Sequence, residues 1–330
     1  MDRSALWSWF LFDSGLPAAR AKDLLSTWQE KGHSLAEILP VAPERRGRLG
    51  LTGPEAARLT PPAALPPVAA LTWSDAGYPQ GLLALPLKVR PALLFYRGEP
   101  VLLQRPIILL APGRLPPSEV DGLREVIALL LGGDLLLAAY EGSPQAGLLL
   151  EEMSYGHGDG LLFAGSGIDA RTEGHAERAL IEERRLLVLS PLPPRVPHRP
   201  AWDAVLIRVA LAASDRAILT GDQALAPADV QGLQAIPTLA LAAAPGDATV
   251  PTNVQVTATP ADAVLWVESL LPGHGVAVDE GIRDDTWSPD SLGMTEDDPG
   301  AIPSPDEILD TLQRGGAIPE ALKRRLAEQD

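Results

Sequence analysis

The chain has 330 residues, of which 46% are hydrophobic and 21% charged, a composition typical of a folded protein of two or three domains. It contains no cysteine, which excludes disulfides, thiolate metal sites and cysteine nucleophiles. The net charge of −16 disfavours broad nucleic-acid binding, because such binding depends on lysine and arginine meeting phosphate. Residues 273–330 hold fourteen acidic and five basic residues, a charge of −9. The first 272 residues therefore carry only −7 and leave room for a local basic groove.

Residues 1–60 predict a small helical domain. Apolar residues recur at helical spacing from residue 5, and Ser34 with Glu37 has the form of a capping box before a helix. The segment Gly15-Leu-Pro17 resembles the hairpin of a helix-hairpin-helix module, which presents backbone amides to DNA phosphate. Ala18 stands where that module has its second glycine, so a bundle with a purely structural role is the alternative. Four prolines in residues 61–67 predict a stiff linker.

From residue 68 to 272, short apolar segments alternate with segments of helix length. We predict strands at 93–96, 107–111, 134–139, 161–164, 186–189, 216–219 and 237–242, and helices at 118–131, 144–153, 172–184, 202–213, 227–233 and 260–271. Nearly all-apolar strands separated by helices are typical of an α/β fold with a parallel sheet covered on both faces. The pattern therefore predicts an extended Rossmann-like, doubly wound, mostly parallel sheet. In such a sheet the ligand crevice lies beyond the carboxyl ends of the strands.

The segment at 161–169 reads as a buried strand that runs into a tight turn containing Gly165 and Gly167, with Asp169 just beyond it. Glycines at such a turn let the backbone come close to a phosphate or a sugar, because no Cβ stands in the way. An ordinary turn at the end of a strand is the alternative, since short Gly-x-Gly turns are common. No G-x-S-x-G motif surrounds Ser166, so a hydrolase site is not predicted there.

The C-terminal part of the chain has a different character. Residues 273–304 are rich in Asp, Gly and Pro without periodicity, and they predict an acidic flexible linker. Two short amphipathic helices are expected within 305–330, at 305–312 and 319–326.

The chain has no run of 18 apolar residues and no secretion-signal pattern, so we expect a cytoplasmic protein without a membrane partner. Its five histidines form no metal-binding pair, and we predict no metal and no cofactor.

Several motifs, in their order along the chain, resemble those of the DNA-processing protein A family, DprA/Smf. The segment Asp75-Ala-Gly-Tyr-Pro79-Gln-Gly-Leu82 is similar to its opening D-x-x-YP-x-x-L motif, and the segment from Arg90 to Gly98 is similar to its PP-x-LY-x-x-G motif. Residues 107–114 stand in place of its VGSR strand and turn, and residues 161–169 in place of its second glycine turn. Residues 187–200 and 202–214 are similar to the family's proline-rich loop and the helix that follows it. The resemblance covers roughly residues 1–271.

The resemblance implies a Rossmann-like domain that binds single-stranded DNA in a basic pocket, without catalysis. It also implies a role in natural transformation and DNA recombination, in which the protein helps to load RecA, and a dimer or a pair with a relative formed through this domain. Carried over by position, the DNA-binding and phosphate-binding candidates lie in three segments: Arg114, the turn residues Gly165, Ser166, Gly167 and Asp169, and Arg208.

Some family residues are replaced in this chain. Pro112 and Gly113 stand where the family has a glycine and a serine before the arginine, and Leu206 and Ile207 replace the first two residues of its RNR motif. A rough match of residues 139–146 to another family motif puts Glu141 near a phosphate site. Two alternatives therefore stand beside DNA binding. One is a degenerate relative that has lost DNA binding and acts as a protein-interaction subunit, and the other is a nucleotide-binding Rossmann-like protein.

Overall fold

The computed structural model describes residues 2–113, 115–220, 236–241, 255–257 and 259–269. Four predictions lie outside these residues: the position of Arg114, the helix at 227–233, the acidic linker at 273–304 and the helices within 305–330. Elements are numbered below in chain order.

The N-terminal region is helical, as predicted. Its helices are α1 (Arg3–Phe12), α2 (Ala18–Glu30), α3 (Leu35–Ile38), α4 (Pro43–Arg46) and α5 (Gly53–Arg58). Ser34 and Glu37 form the predicted capping box, in which each side chain accepts a hydrogen bond from the other residue's backbone N–H. Arg46 is buried, and its guanidinium donates to the carbonyl oxygens of four residues, Leu39, Val41, Ala56 and Leu59. These bonds satisfy carbonyls at helix ends, so this charge has a structural role.

The helical region packs against one edge of the sheet. Ser4 Oγ donates to the carbonyl oxygen of Ala70 at 2.7 Å, and the rings of Trp7 and Trp73 meet edge to face with centroids 5.4 Å apart. Phe12 contacts Phe95 with ring centroids 6.0 Å apart. The apolar residues of both regions form one continuous hydrophobic core, so the bundle supports this edge of the sheet.

The described strands form one mostly parallel sheet. They are β1 (Ala70–Thr72), β2 (Leu93–Arg97), β3 (Ile107–Leu110), β4 (Leu136–Tyr140), β5 (Gly160–Phe163), β6 (Leu186–Ser190), β7 (Arg216–Thr220), β8 (Thr238–Leu241) and β9 (Gln255–Thr257). Their order across the sheet is β1-β2-β6-β5-β4-β3-β7-β8-β9. In this order across the sheet, every neighbouring pair after β6 is parallel, whereas β1–β2 and β2–β6 are antiparallel.

The remaining described helices are α6 (Gln80–Leu83), α7 (Pro117–Leu130), α8 (Pro144–Tyr155), α9 (His175–Glu182), α10 (Asp203–Ala213) and α11 (Pro260–Glu268). Helices α7, α8 and α9 connect strands that succeed one another from β3 to β6, and α10 then returns the chain to β7 on the other side of β3. Because such crossovers are right-handed, the reversal of direction puts α10 on the opposite face. The fold is therefore doubly wound, as predicted, and the strand order reverses between β3 and β7.

The observed elements differ from the predicted ones mainly at their ends. Strands β1 and β9 have three residues each and were not predicted. Helix α9 begins at His175 instead of residue 172, because Arg171 and Gly174 have extended backbone angles; together with the 3-10 turn at Ile168–Ala170 they lengthen the connection from β5. That longer connection carries the candidate site.

Candidate nucleic-acid interface

The glycine turn, defined as residues 164–171, follows the fully buried strand β5. A Cβ added to Gly165 would lie 2.8 Å from Cδ2 of His198 and 3.0 Å from Oη of Tyr140. A Cβ added to Gly167 would lie 1.9 Å from the carbonyl oxygen of Pro193. The glycines therefore permit a close approach, as the sequence predicted, but the groups that approach belong to this chain.

The backbone amides of the turn donate hydrogen bonds within the protein. The N–H of Gly165 donates to Oε2 of Glu141 at 3.0 Å, and the N–H of Gly167 donates to the carbonyl oxygen of Val196 at 2.8 Å. Ser166 is buried, and its carbonyl oxygen accepts a hydrogen bond from Ser190 Oγ at 2.7 Å. The Gly165 amide is thus already bound to an anion supplied by the chain.

A buried arginine lies behind this contact. Arg171, whose side chain is 2% exposed, donates from Nε to Oε1 of Glu141 at 2.8 Å and from Nη2 to Oε1 of Glu177 at 2.5 Å. Burial alone lowers the pKa of Arg171, but Glu141 and Glu177 outweigh it and raise that pKa above its ordinary value. The guanidinium therefore stays charged and holds the glycine turn to the ends of β4 and α9.

A second ion pair fixes the outer part of the turn. Arg97, from β2, contacts Oδ1 of Asp169 at 3.3 Å and Oε1 of Glu173 at 2.5 Å. Asp169, which the sequence predicted as a site residue, therefore lies beside an arginine of the antiparallel edge of the sheet. Its side chain remains about half exposed.

Two side chains share one carboxylate next to Gly165. Tyr140 Oη donates to Oδ1 of Asp203 at 2.6 Å, and Nε2 of His198 lies 2.9 Å from the same oxygen. Burial, and then the hydrogen bond to Asp203, raise the pKa of Tyr140, which keeps its hydroxyl protonated as a donor. Through Asp203 the cluster ties the loop that follows β6 to the end of β4 and the start of α10.

The loop that follows β6, residues 191–199, is called the basic loop here. Its Arg195 is exposed, and the guanidinium of Arg199 lies 5.1 Å from the ring centroid of Trp202, a cation–π contact that holds it in place. Neither arginine forms an ion pair with a residue that the structure describes. The basic loop therefore carries positive charge that no acidic side chain of the described residues pairs with, directly over the glycine turn.

The point where the strand order reverses is bridged by one side chain. Gln145, on α8, is fully buried, and its Nε2 donates to the carbonyl oxygen of Gly113 at 3.2 Å and to Oγ1 of Thr220 at 3.1 Å. These acceptors follow β3 and end β7, so Gln145 joins the two carboxyl ends across the crevice expected there.

The structure brings some of the predicted site residues together and separates others. Gly165, Ser166, Gly167 and Asp169 are consecutive or nearly so in the glycine turn. Arg208 lies half-buried on α10, five residues after Asp203 and so about 8 Å farther along the helix. Sequence reasoning did not find Arg171, Glu177, Arg195 or Arg199 as members of the site.

Within the described ranges, no helix has both the length and the apolar character to cross a membrane. The same residues contain no cluster of three or more His, Asp or Glu side chains placed to hold a metal ion.

The sheet order and the helices on both faces define an extended Rossmann-like α/β protein. Among solved structures, that of DNA processing protein A (DprA) from Streptococcus pneumoniae is similar, with a TM-score of 0.59 and 15% identity over 80% of this chain and 98% of the other. DprA from Helicobacter pylori, whose structure was described for its single-stranded DNA binding mode, is similar with a TM-score of 0.50 and 13% identity, over 61% of this chain and 97% of the other. No protein-family model and no curated protein sequence matches the chain.

These likenesses confirm the resemblance drawn from the sequence motifs at the level of the fold. The chain has the DprA fold with a strongly divergent sequence.

Proposed function

We propose that the chain binds single-stranded DNA, without catalysis, along the carboxyl edge of its sheet. Two arguments support the proposal. Its fold is that of DprA, and the H. pylori protein of this fold binds single-stranded DNA. Independently, the exposed Arg195 and the positioned Arg199 place two positive charges on the basic loop, above the glycine turn and on the carboxyl edge of the sheet, the edge at which a doubly wound sheet holds its ligand. The charge on this loop is the observation that carries the proposal.

The mode of binding follows from the chemistry of the basic loop. Arginine side chains contact phosphate oxygens along the backbone, so we expect strong dependence on salt and little preference for sequence. The guanidinium of Arg199 lies over the ring of Trp202, and arginine side chains also contribute cation–π contacts to nucleobases in single-stranded DNA sites. The glycine turn then has a supporting role, because its amides at Gly165 and Gly167 hold Glu141 and the basic loop. Direct phosphate contacts from Arg114 and Arg208 remain predictions.

Nothing in this mode of binding calls for a reaction. The carboxylates of Glu141, Asp169 and Glu173 are each tied to an arginine of the chain. The resemblance to DprA extends the proposal to a cytoplasmic protein that helps to load RecA and pairs with itself or with a relative through the sheet domain.

A second candidate function is a protein-interaction subunit that has lost DNA binding. The contact between Glu141 and the Gly165 amide favours it, since a carboxylate occupies a position where a phosphate would otherwise accept the hydrogen bond. The net charge of −16 favours it as well.

A fluorescence anisotropy titration with a labelled oligothymidine at two salt concentrations separates the two functions. The wild type should bind, and Arg195→Ala/Arg199→Ala should weaken binding about tenfold or more. The slope of log affinity against log salt concentration should become shallower by about 0.7 for each phosphate contact that is lost. Arg48→Ala/Arg58→Ala is the matched control, because it removes two exposed arginines from the helical region. No binding by the wild type at low salt would overturn the proposal. An equal loss in the control would show that overall charge, and not the basic loop, carries the affinity.

A further inference from the structure

The outer surface of helices α7 and α11 carries two exposed leucines. Four large apolar residues are more than half exposed among those that the structure describes, and two of them are Leu129 on α7, at 52%, and Leu265 on α11, at 63%. The two helices are neighbours, because α11 packs against α7 as well as against β8 and β9. An apolar patch that spans two helices is typical of a surface that binds another segment.

Helix geometry places both leucines on this outer surface. Arg124 of α7 pairs with two carboxylates of α8, so its side of the helix faces α8. Leu129 follows five residues later, about 140° around the axis, and therefore lies on the side of α7 that is next to α11. On α11, Leu265 is two residues from each of the buried Ala263 and Val267, about 160° around the axis, so it points away from the core.

Each leucine has a carboxylate beside it. Glu125 comes four residues before Leu129, and Glu268 comes three residues after Leu265, spacings at which side chains on a helix are neighbours. Both glutamates are exposed, and neither forms an ion pair with a residue that the structure describes. These two leucines and two glutamates, called the leucine patch here, combine apolar contact area with negative charge.

One segment outside the described residues has the complementary pattern. Within 319–326, which the sequence predicts to be an amphipathic helix, Leu322 and Leu326 are four residues apart. At helical spacing, Lys323 and Arg325 flank these leucines on either side. Residues 273–330 have only five basic residues, and three of them lie together at 323–325. Positive charge in this acidic region is therefore concentrated beside the two leucines.

The length of the connection also suits this pairing. Ser269 follows α11 directly, and 49 residues separate it from Pro319. A flexible chain of that length has an average end-to-end distance of about 35–42 Å, which is ample for a return to α11. A segment tethered in this way has an effective concentration of about a millimolar, so a millimolar affinity is enough for substantial docking.

We propose that the segment 319–326 docks on the leucine patch of the same chain as an amphipathic helix. Leu322 and Leu326 cover the two leucines of the patch, and Lys323 and Arg325 pair with its two glutamates. This inference does not depend on single-stranded DNA binding, since it concerns the outer surface of α7 and α11 and not the basic loop.

Cross-linking within one chain tests the docking, because the protein has no cysteine of its own. In Ala261→Cys/Ala327→Cys, one cysteine lies on the exposed surface of α11 and the other follows Leu326, and a short bis-maleimide joins them. Ala57→Cys/Ala327→Cys is the matched control, because Ala57 is an exposed alanine of the helical region, which packs at the β1 edge of the sheet. We expect about fivefold more intrachain product from the first pair than from the control.

A second change tests whether the leucines of the segment hold it in place. Adding Leu322→Glu/Leu326→Glu to the first cysteine pair alters no described residue and should lower the intrachain product to the control level. The inference is wrong if the two cysteine pairs give equal product, or if the glutamate substitutions leave the product unchanged. Product that joins two chains would also overturn it, because the patch would then bind a second copy. A failure of the wild type to bind oligothymidine would leave this result unaffected.

Discussion

The glycine turn and the basic loop lie against each other at the same edge of the sheet, yet their charged side chains differ in whether they are paired within the protein. In the glycine turn, Arg171 is buried between two carboxylates, and Asp169 is paired with Arg97. In the basic loop, Arg195 and Arg199 have no ion pair with a described residue. Glycines in a turn thus indicate that something approaches the backbone closely, but the tertiary structure decides whether that group is a ligand or another part of the chain.

The largest difference between the two loops should appear in stability when an arginine is removed. Arg171→Met leaves two carboxylates without their buried partner, so the free energy of unfolding should fall by about 3–5 kcal/mol. Arg195→Met removes an exposed charge and should change it by about 0.5 kcal/mol or less. Urea denaturation of both variants measures the two values. Equal losses would contradict the assignment of a structural role to one arginine and a surface role to the other.

A smaller difference is expected within the glycine turn itself. In Gly167→Ala the new Cβ would meet the backbone carbonyl of Pro193 at 1.9 Å, so the basic loop must shift, at a cost of about 2–3 kcal/mol. In Gly165→Ala the nearest atom, at 2.8 Å, belongs to the His198 side chain, which is half exposed and able to rotate. We therefore expect the free energy of unfolding of Gly165→Ala to fall by only about 1 kcal/mol.

The same urea denaturation checks the glycine pair. A larger loss of stability in Gly165→Ala than in Gly167→Ala would show that the basic loop does not pack closely against Gly167 through the Pro193 carbonyl.

The sequence predicted the part of the fold that depends on local pattern. Apolar runs and helix-length spacings located the central strands to within two residues, and the alternation predicted the doubly wound sheet with helices on both faces. The short edge strands β1 and β9 were missed because three residues carry no measurable periodicity.

The candidate site was harder to predict, because its contacts join distant parts of the chain. Glu141 and Arg171 are thirty residues apart, and no sequence motif contains both, so nothing in the sequence indicates that they form an ion pair. Arg195 and Arg199 lie in a proline-rich loop whose position over the glycine turn depends on the crossover to α10. One signal was available: three basic residues, Arg195, His198 and Arg199, occur within five positions at the carboxyl end of a predicted strand.

If the chain binds DNA as proposed, the basic loop, and not the glycine turn, is the surface that contacts it. Since the chain has no cysteine, single cysteines can be introduced at Pro197, in the basic loop, and at Thr172, just after Arg171, both of which are exposed. Each variant is labelled with a short photo-reactive maleimide, and its cross-linking to oligothymidine is measured under identical conditions. We expect several times more cross-linked product from position 197 than from position 172, because only the basic loop should contact the oligonucleotide. Equal or greater product from position 172 would contradict it.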